Sequence, residues 1–282
     1  MNDLFVYALR LGDDALISAQ RTAEWIAAAP QLEEDVALGN IGLDQLGQAR
    51  SLLQYAGSLE GAGRSDDDLA YFRDERDFLN LQLCELPTGD FAHAMARLLY
   101  FATYQHLLYD ELQTSADETL SGVAGKAVKE VAYHVDHATQ WVLRLGDGTD
   151  ESHSRMQTAL EAVWPYTAEM FESDDLVRRL AVAVDPSTLQ DEWTRRVMAV
   201  IDESTCSRPE ASYQHSGGRQ GRHTEHLGYL LAELQHVARS HPGRHGDRYR
   251  DPRGRRRGHG PRGAGADDRG PRCVARGAAR RR

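Results

Sequence analysis

The chain has 282 residues, of which 41% are apolar, enough for a large soluble core and unlike the composition of disordered or fibrous chains. Its formal net charge of -10 is unevenly spread: residues 239–282 hold 15 arginines against 4 aspartates (+11), which leaves -21 on residues 1–238, a body unsuited to nucleic acid or anionic lipid. No run nears the roughly 18–20 apolar residues of a membrane span, the opening MNDLFVYALRLGDD is too acidic for a secretory signal, and Cys84, Cys206 and Cys273 form no CxxC pair, so a reduced cytoplasmic location with no membrane contact is expected.

Apolar spacing is helical to about residue 240, and no series of alternating strands is visible, which predicts an all-α fold. The first helix is expected over about residues 3–28, ending before Pro30, and the second over about 32–57, ending near Gly57; together they make a hairpin. A shorter helix over about 66–79 precedes the turn Pro87-Thr88-Gly89-Asp90, whose Asp90 is suited to cap a third long helix running to about 114. The fourth long helix, about 119–145, has the expected buried stripe Val128, Val131, Val135, Ala138, Val142 and Leu145. A fifth runs from about 149 to 171 with a bend at Pro165, followed by helices over about 174–184, 186–204 and 223–239. Four segments longer than 20 residues with short links pack most economically as an antiparallel four-helix bundle with shorter helices laid along it.

Two domains are expected: residues 1–243 as the helical body and 244–282 as a disordered tail rich in Arg, Gly and Pro, with no helical or strand period. Such a restricted alphabet is also what a GC-rich message yields when read out of frame, and that origin is the favoured explanation of the tail. A solvated tail without function, and an arginine-rich arm for nucleic acid or an acidic partner, are the two alternatives.

A di-iron carboxylate site in such a bundle takes a Glu or Asp from each of two helices and a Glu-x-x-His pair from each of the other two. Asp14 and Asp44, 30 residues apart, suit facing positions across the hairpin, but the residue three after Asp44 is Gly47, which offers no ligand. On the fourth long helix Glu130 is followed by Tyr133 at i+3 and His134 at i+4, one place late. The ligand set is therefore degenerate at Asp14, Asp44, Gly47, Glu130, Tyr133 and His134, and no metal is expected here. Glu130 and His134 then belong to a buried polar cluster, with Arg10, Arg21 or Arg97 as candidate partners of the interior acids. His106 with Asp110 reads as a surface pair; His223 and His226 in HTEHL read as capping or interface residues. No phosphate loop and no nucleophile elbow occurs. The alternative left open is an independent di-metal oxidase using Asp14, Asp44, Glu130 and His134.

The segments LRLGDDALISAQRTAEW, NIGLDQLGQAR, YFRDERDFLNLQL, KEVAYH with WVLRLGDGTD, and GRHTEHLGYLLAEL, in this order between about residues 3 and 243, resemble the structural C subunits of the ring-1,2-phenylacetyl-CoA epoxidases. The resemblance implies a ferritin-like bundle that is not itself catalytic and pairs with a homologous A subunit, which holds the di-iron centre and the CoA thioester. It further implies that a reductase subunit with FAD, an iron–sulfur centre and NADPH supplies electrons, so that no cofactor is held here. The hairpin residues Gly39, Gly42, Asp44 and Gly47 are the candidate partner contacts, since glycine costs a helix about 1 kcal/mol relative to alanine and close backbone approach would justify it.

Overall fold

A computed structural model describes residues 2–242; the expectations for the segment from 244 onward lie outside that range. Among the described residues the regular elements are all helical. They are α1 (Asp3–Ala23), α2 (Leu32–Glu60), α3 (Asp66–Tyr71), α4 (Gln82–Glu85), α5 (Phe91–Leu112), α6 (Glu118–Gly146), α7 (Asp150–Val163), α8 (Asp175–Arg179), α9 (Gln190–Glu203) and α10 (Glu225–Ser240), with 3-10 turns between them. The fold is all-α, in keeping with a ferritin-like bundle built on α1, α2, α5 and α6. No described helix is long and apolar enough to cross a membrane.

The long helices start where the sequence supplies acceptors for their free amides. Asn2 Oδ1 accepts from the Leu4 amide (3.0 Å), Asp90 from that of His93 (3.0 Å), and Asp117 from that of Leu120 (2.9 Å). Helix α2 ends on Gly61, whose φ of 71° is a left-handed conformation open to glycine at little cost. Helix α7 stops at Val163, not 171, because Pro165 has no amide to donate, and the chain continues as the 3-10 turns Trp164–Tyr166 and Ala168–Phe171. Helix α1 is shorter than expected: residues 24–31 form turns, with the Ala27 amide (φ 66°) held by Asp35 Oδ1 at 2.7 Å. Residues 66–79 hold only α3 and a 3-10 turn at Glu75–Asp77, and α4 lies where the sequence reading places no helix.

Helices α1 and α5 are buried on nearly every face and form the middle of the described helical body. Helix α2 covers α1, α6 covers α5, and α6 also meets α2 across the bundle. The buried stripe of α6 is Leu120, Ala124, Ala127, Val131, His134, Ala138, Val142 and Gly146. Val128, Val135 and Leu145, expected in it, are only partly buried, since the stripe is rotated to admit small residues and a histidine. On the far side of α5, Tyr100, Phe171 and Trp193 pack edge-on or tilted at 5.1–5.8 Å between centroids, and Trp193 Nε1 donates to Tyr100 O (2.9 Å).

Candidate functional site

In the α1–α2 hairpin, Gln45 Nε2 donates to Ser18 Oγ (2.9 Å), Thr22 Oγ1 donates to Gln45 Oε1 (3.2 Å), and a Cβ on Gly12 would meet Leu53. This register brings Asp44 level with the end of α1 near Thr22, several residues past Asp14. The expected facing of Asp14 and Asp44 is therefore not formed. Asp14 instead lies in a second buried cluster, where its carboxylate accepts from Arg219 Nη1 (3.0 Å) and Nη2 (2.7 Å) and from the Leu81 amide (2.8 Å). Burial pushes the Asp14 carboxyl above its usual range, against the opposing pull of Arg219.

The inward positions of α2 are also one residue away from the expected ones. Asp44 is part-exposed and Gly47 faces open space, with nothing within 4 Å of an added Cβ, whereas Gln45 and Gln48 are buried. The i, i+3 pair that looks into the bundle is thus Gln45 and Gln48. On α6 the corresponding inward pair is Val131 and His134; Tyr133 is exposed on the outer face. The sequence carries a signal for this phase: the buried positions Leu38, Ile41, Gln45, Gln48 and Leu52 keep one helical stripe, and a frame anchored on the carboxylate of Asp44 falls one residue early.

These side chains form a ladder between antiparallel α2 and α6. His134 Nε2 lies 3.2 Å from Asp44 Oδ2, which places the ring proton on Nε2. Nδ1 is then a bare acceptor, buried, with no hydrogen-bond partner among the described residues. Burial lowers the His134 pKa despite the Asp44 bond, so the ring is neutral. Gln48 Nε2 donates to Glu130 Oε2 (3.2 Å), Lys126 Nζ approaches Glu130 Oε1 (3.1 Å), and Tyr109 OH donates to Gln48 Oε1 (3.4 Å). Further along, Glu34 Oε2 accepts from Trp141 Nε1 (2.7 Å); His137 Nε2 is 3.2 Å from the same oxygen without hydrogen-bond alignment.

A di-iron centre does not fit this donor set. Carboxamides are neutral and bind hard cations far less well than carboxylates, Val131 offers no donor, and the carboxylates of the ladder are already engaged, Glu130 by an ammonium and an amide, Glu34 by the Trp141 indole and Asp44 by His134. Among the described residues no group of three or more His, Cys, Asp or Glu side chains is gathered as a metal site.

Of the arginines expected to partner acids, Arg10 binds Asp174 (2.6 Å) and Arg21 binds Glu24 (2.8 Å), both pairs part-buried and outside the Glu130–His134 cluster; Arg21 also donates to Glu85 O (2.9 and 3.1 Å), and Arg97 donates to Leu86 O (2.7 Å). His106, expected to pair with Asp110, is half-buried with Nδ1 3.4 Å from Arg196 Nη1. His223 lies ahead of α10, not on a shared face with His226, and its two nitrogens meet Glu85 Oε2 and Phe78 O at 2.9 Å each. Among the hairpin glycines, Gly42 packs against Ala19 O of α1 (3.7 Å from an added Cβ), so its small size serves the hairpin, while Gly39 and Gly47 face open space.

The fold and site thus define an all-α bundle of ferritin-like type whose facing inward pairs on α2 and α6 are Gln45 with Gln48 and Val131 with His134. A family model described as "Phenylacetic acid catabolic protein" matches residues 1–245, and the chain belongs to that family. It is 46% identical over 246 residues, 86% of this chain and 99% of the relative, to the C subunit of 1,2-phenylacetyl-CoA epoxidase from Escherichia coli (strain K12).

Proposed function

We propose that this protein is a non-catalytic structural subunit of a multicomponent 1,2-phenylacetyl-CoA epoxidase in the cytoplasm, where it pairs with and stabilises a homologous di-iron catalytic subunit. The observation that carries the reading is the inward pair Gln45 and Gln48 on α2, opposite Val131 and His134 on α6. The bundle retains the architecture of an oxygen-activating carboxylate protein and lacks the charged ligand shell that would hold two cations. Likeness to a C subunit over nearly its whole length supports the same reading.

In such an assembly the iron, the flavin and iron–sulfur carriers and the thioester belong to other subunits. The contribution of this chain is mechanical. A helical bundle that opens a channel to its metal loses helix-on-helix restraint, and a rigid second bundle laid against it restores that restraint. Helices α1 and α5, buried on almost every side, supply the rigidity.

Co-expression with the neighbouring catalytic-type subunit, followed by size-exclusion chromatography and metal analysis of the separated chains, tests this. The expected result is a stable complex, iron on the partner, and epoxidation only when both are present. Two metals per chain on this protein alone, lost on Glu130→Ala, would instead establish the independent di-metal oxidase.

A further inference from the structure

Arg97, on α5, is a buried cation without a counter-ion. The residue is 7% exposed and makes no ion pair among the described residues. Its Nη1 donates to Leu86 O (2.7 Å) and Pro87 O (3.2 Å), which leaves Nε and Nη2 without a protein acceptor. The neighbouring charges do not neutralise it. Arg21 adds to the positive field, and Glu24 is already bound by Arg21 Nη1 (2.8 Å) and by the Thr88 hydroxyl. Burial, with Arg21 acting in the same sense, brings the guanidinium down to about 10, so it stays charged at neutral pH. A lone interior charge is costly unless something pairs with it.

Arg97 lines a cavity of about 10 Å³, and two further donors line it with no acceptor of their own. The Trp25 indole N–H is buried and has no hydrogen-bond partner among the described residues. Ser18 Oγ accepts from Gln45 Nε2 (2.9 Å), so its own hydrogen is free to donate. Leu38, Leu98 and Phe101 supply apolar wall, and no carboxylate side chain lines the space. We propose that this cavity binds a single monatomic halide, chloride or bromide, held by the Arg97 guanidinium, the Trp25 indole and the Ser18 hydroxyl. The volume matches roughly one water-sized sphere, so phosphate, sulfate and organic carboxylates are too large. A water there would meet donors from three side chains and leave the charge uncompensated, whereas a halide accepts from all three and cancels it. The donors come from three segments: Ser18 from α1, Trp25 from the turn that follows it, and Arg97 from α5. A bound halide therefore ties the α1–α2 turn to the middle of the bundle.

The test is thermal unfolding of the full-length chain in sodium chloride, bromide or gluconate at fixed ionic strength, together with the anomalous signal of bromide in crystals. Both halides should raise the melting point over gluconate and do so saturably. Bromide should give a peak in the cavity within hydrogen-bond reach of Trp25 Nε1 and the Arg97 guanidinium. Trp25→Phe and Ser18→Ala each delete one donor and keep most of the packing; each should weaken the apparent halide affinity about tenfold while the protein stays folded in gluconate. Arg97→Met should abolish the halide effect, and the two milder variants decide the matter if that one does not fold. Equal melting points in halide and gluconate, or a water where the bromide peak is expected, would overturn the site. So would a halide effect of unchanged affinity in Trp25→Phe and Ser18→Ala, which would mark an adventitious ion only, bound elsewhere.

Discussion

The strongest stability test concerns Asp14, which the sequence places as a candidate ligand and the structure places in a latch. Arg219, in the loop ahead of α10, makes four hydrogen bonds: two to Asp14 (3.0 and 2.7 Å), one to Leu79 O (2.9 Å) and one to Arg10 O (3.3 Å). Arg219→Met keeps most of the apolar stem and removes all four. At about 1 kcal/mol per bond, with the carboxylate left in the interior on the Leu81 amide alone, the loss should be about 3–5 kcal/mol, a large share of a typical total of about 5–15 kcal/mol. Asp14→Asn should be costly for the converse reason, since it strands the guanidinium. The double variant Asp14→Asn/Arg219→Met should cost about 1–3 kcal/mol less than the sum of the singles. The sign of the pH effect follows from burial, which raises the Asp14 carboxyl while Arg219 opposes the rise. Without Arg219 the folded-state value goes higher still. A carboxyl raised on folding contributes stability that is present below its unfolded value near 3.8 and lost as pH climbs through the folded one. The gap between Arg219→Met and wild type should therefore narrow on acidification. Urea unfolding of the four proteins across several pH values measures both effects. Additive singles, within about 0.5 kcal/mol, together with a gap that does not change with pH, would refute the coupling.

Two buried histidines should show opposite slopes of stability with pH. Burial would lower His223, but the Glu85 carboxylate at 2.9 Å outweighs it and the pKa is raised; stability should fall as pH rises above 6.5 through the folded value, and His223→Gln should abolish that slope. His134 is lowered by burial, so its contribution should be lost as pH falls below 6.5; NMR titration of the two rings, with unfolding curves of His134→Gln, checks the sign. Gly47→Ala, in open helix surface, should raise the melting point of the isolated chain by a shift equivalent to about 1 kcal/mol. Gly146→Ala, whose Cβ would stand 2.3 Å from Ser204 O, should lower it by an amount equivalent to about 1–3 kcal/mol, as overpacking against backbone does.

The bundle is legible in the sequence because its signal is periodic: α2, α5 and α6 end within two or three residues of the expected places, where Gly61, Asp90 and Asp117 supply caps. Elements whose limits depend on tertiary contacts are less so. Residues 24–31 continue the helical composition of α1, yet they turn because Asp35 captures the Ala27 amide, a contact between separate segments. The interior departs from the sequence expectation for a more instructive reason. A search for ligands starts from carboxylates, and Asp44 is one, but a side chain's chemistry does not say which way its Cα–Cβ bond points. The stripe of buried neighbours does, and it points Gln45 and Gln48 inward. Gly47 therefore does not mark a lost imidazole. It faces open space, with nothing within 4 Å of an added Cβ. The phase that turns Gln45 and Gln48 inward therefore also leaves Gly39 and Gly47 facing open space, while Gly42, on the side toward α1, stays packed against the Ala19 carbonyl.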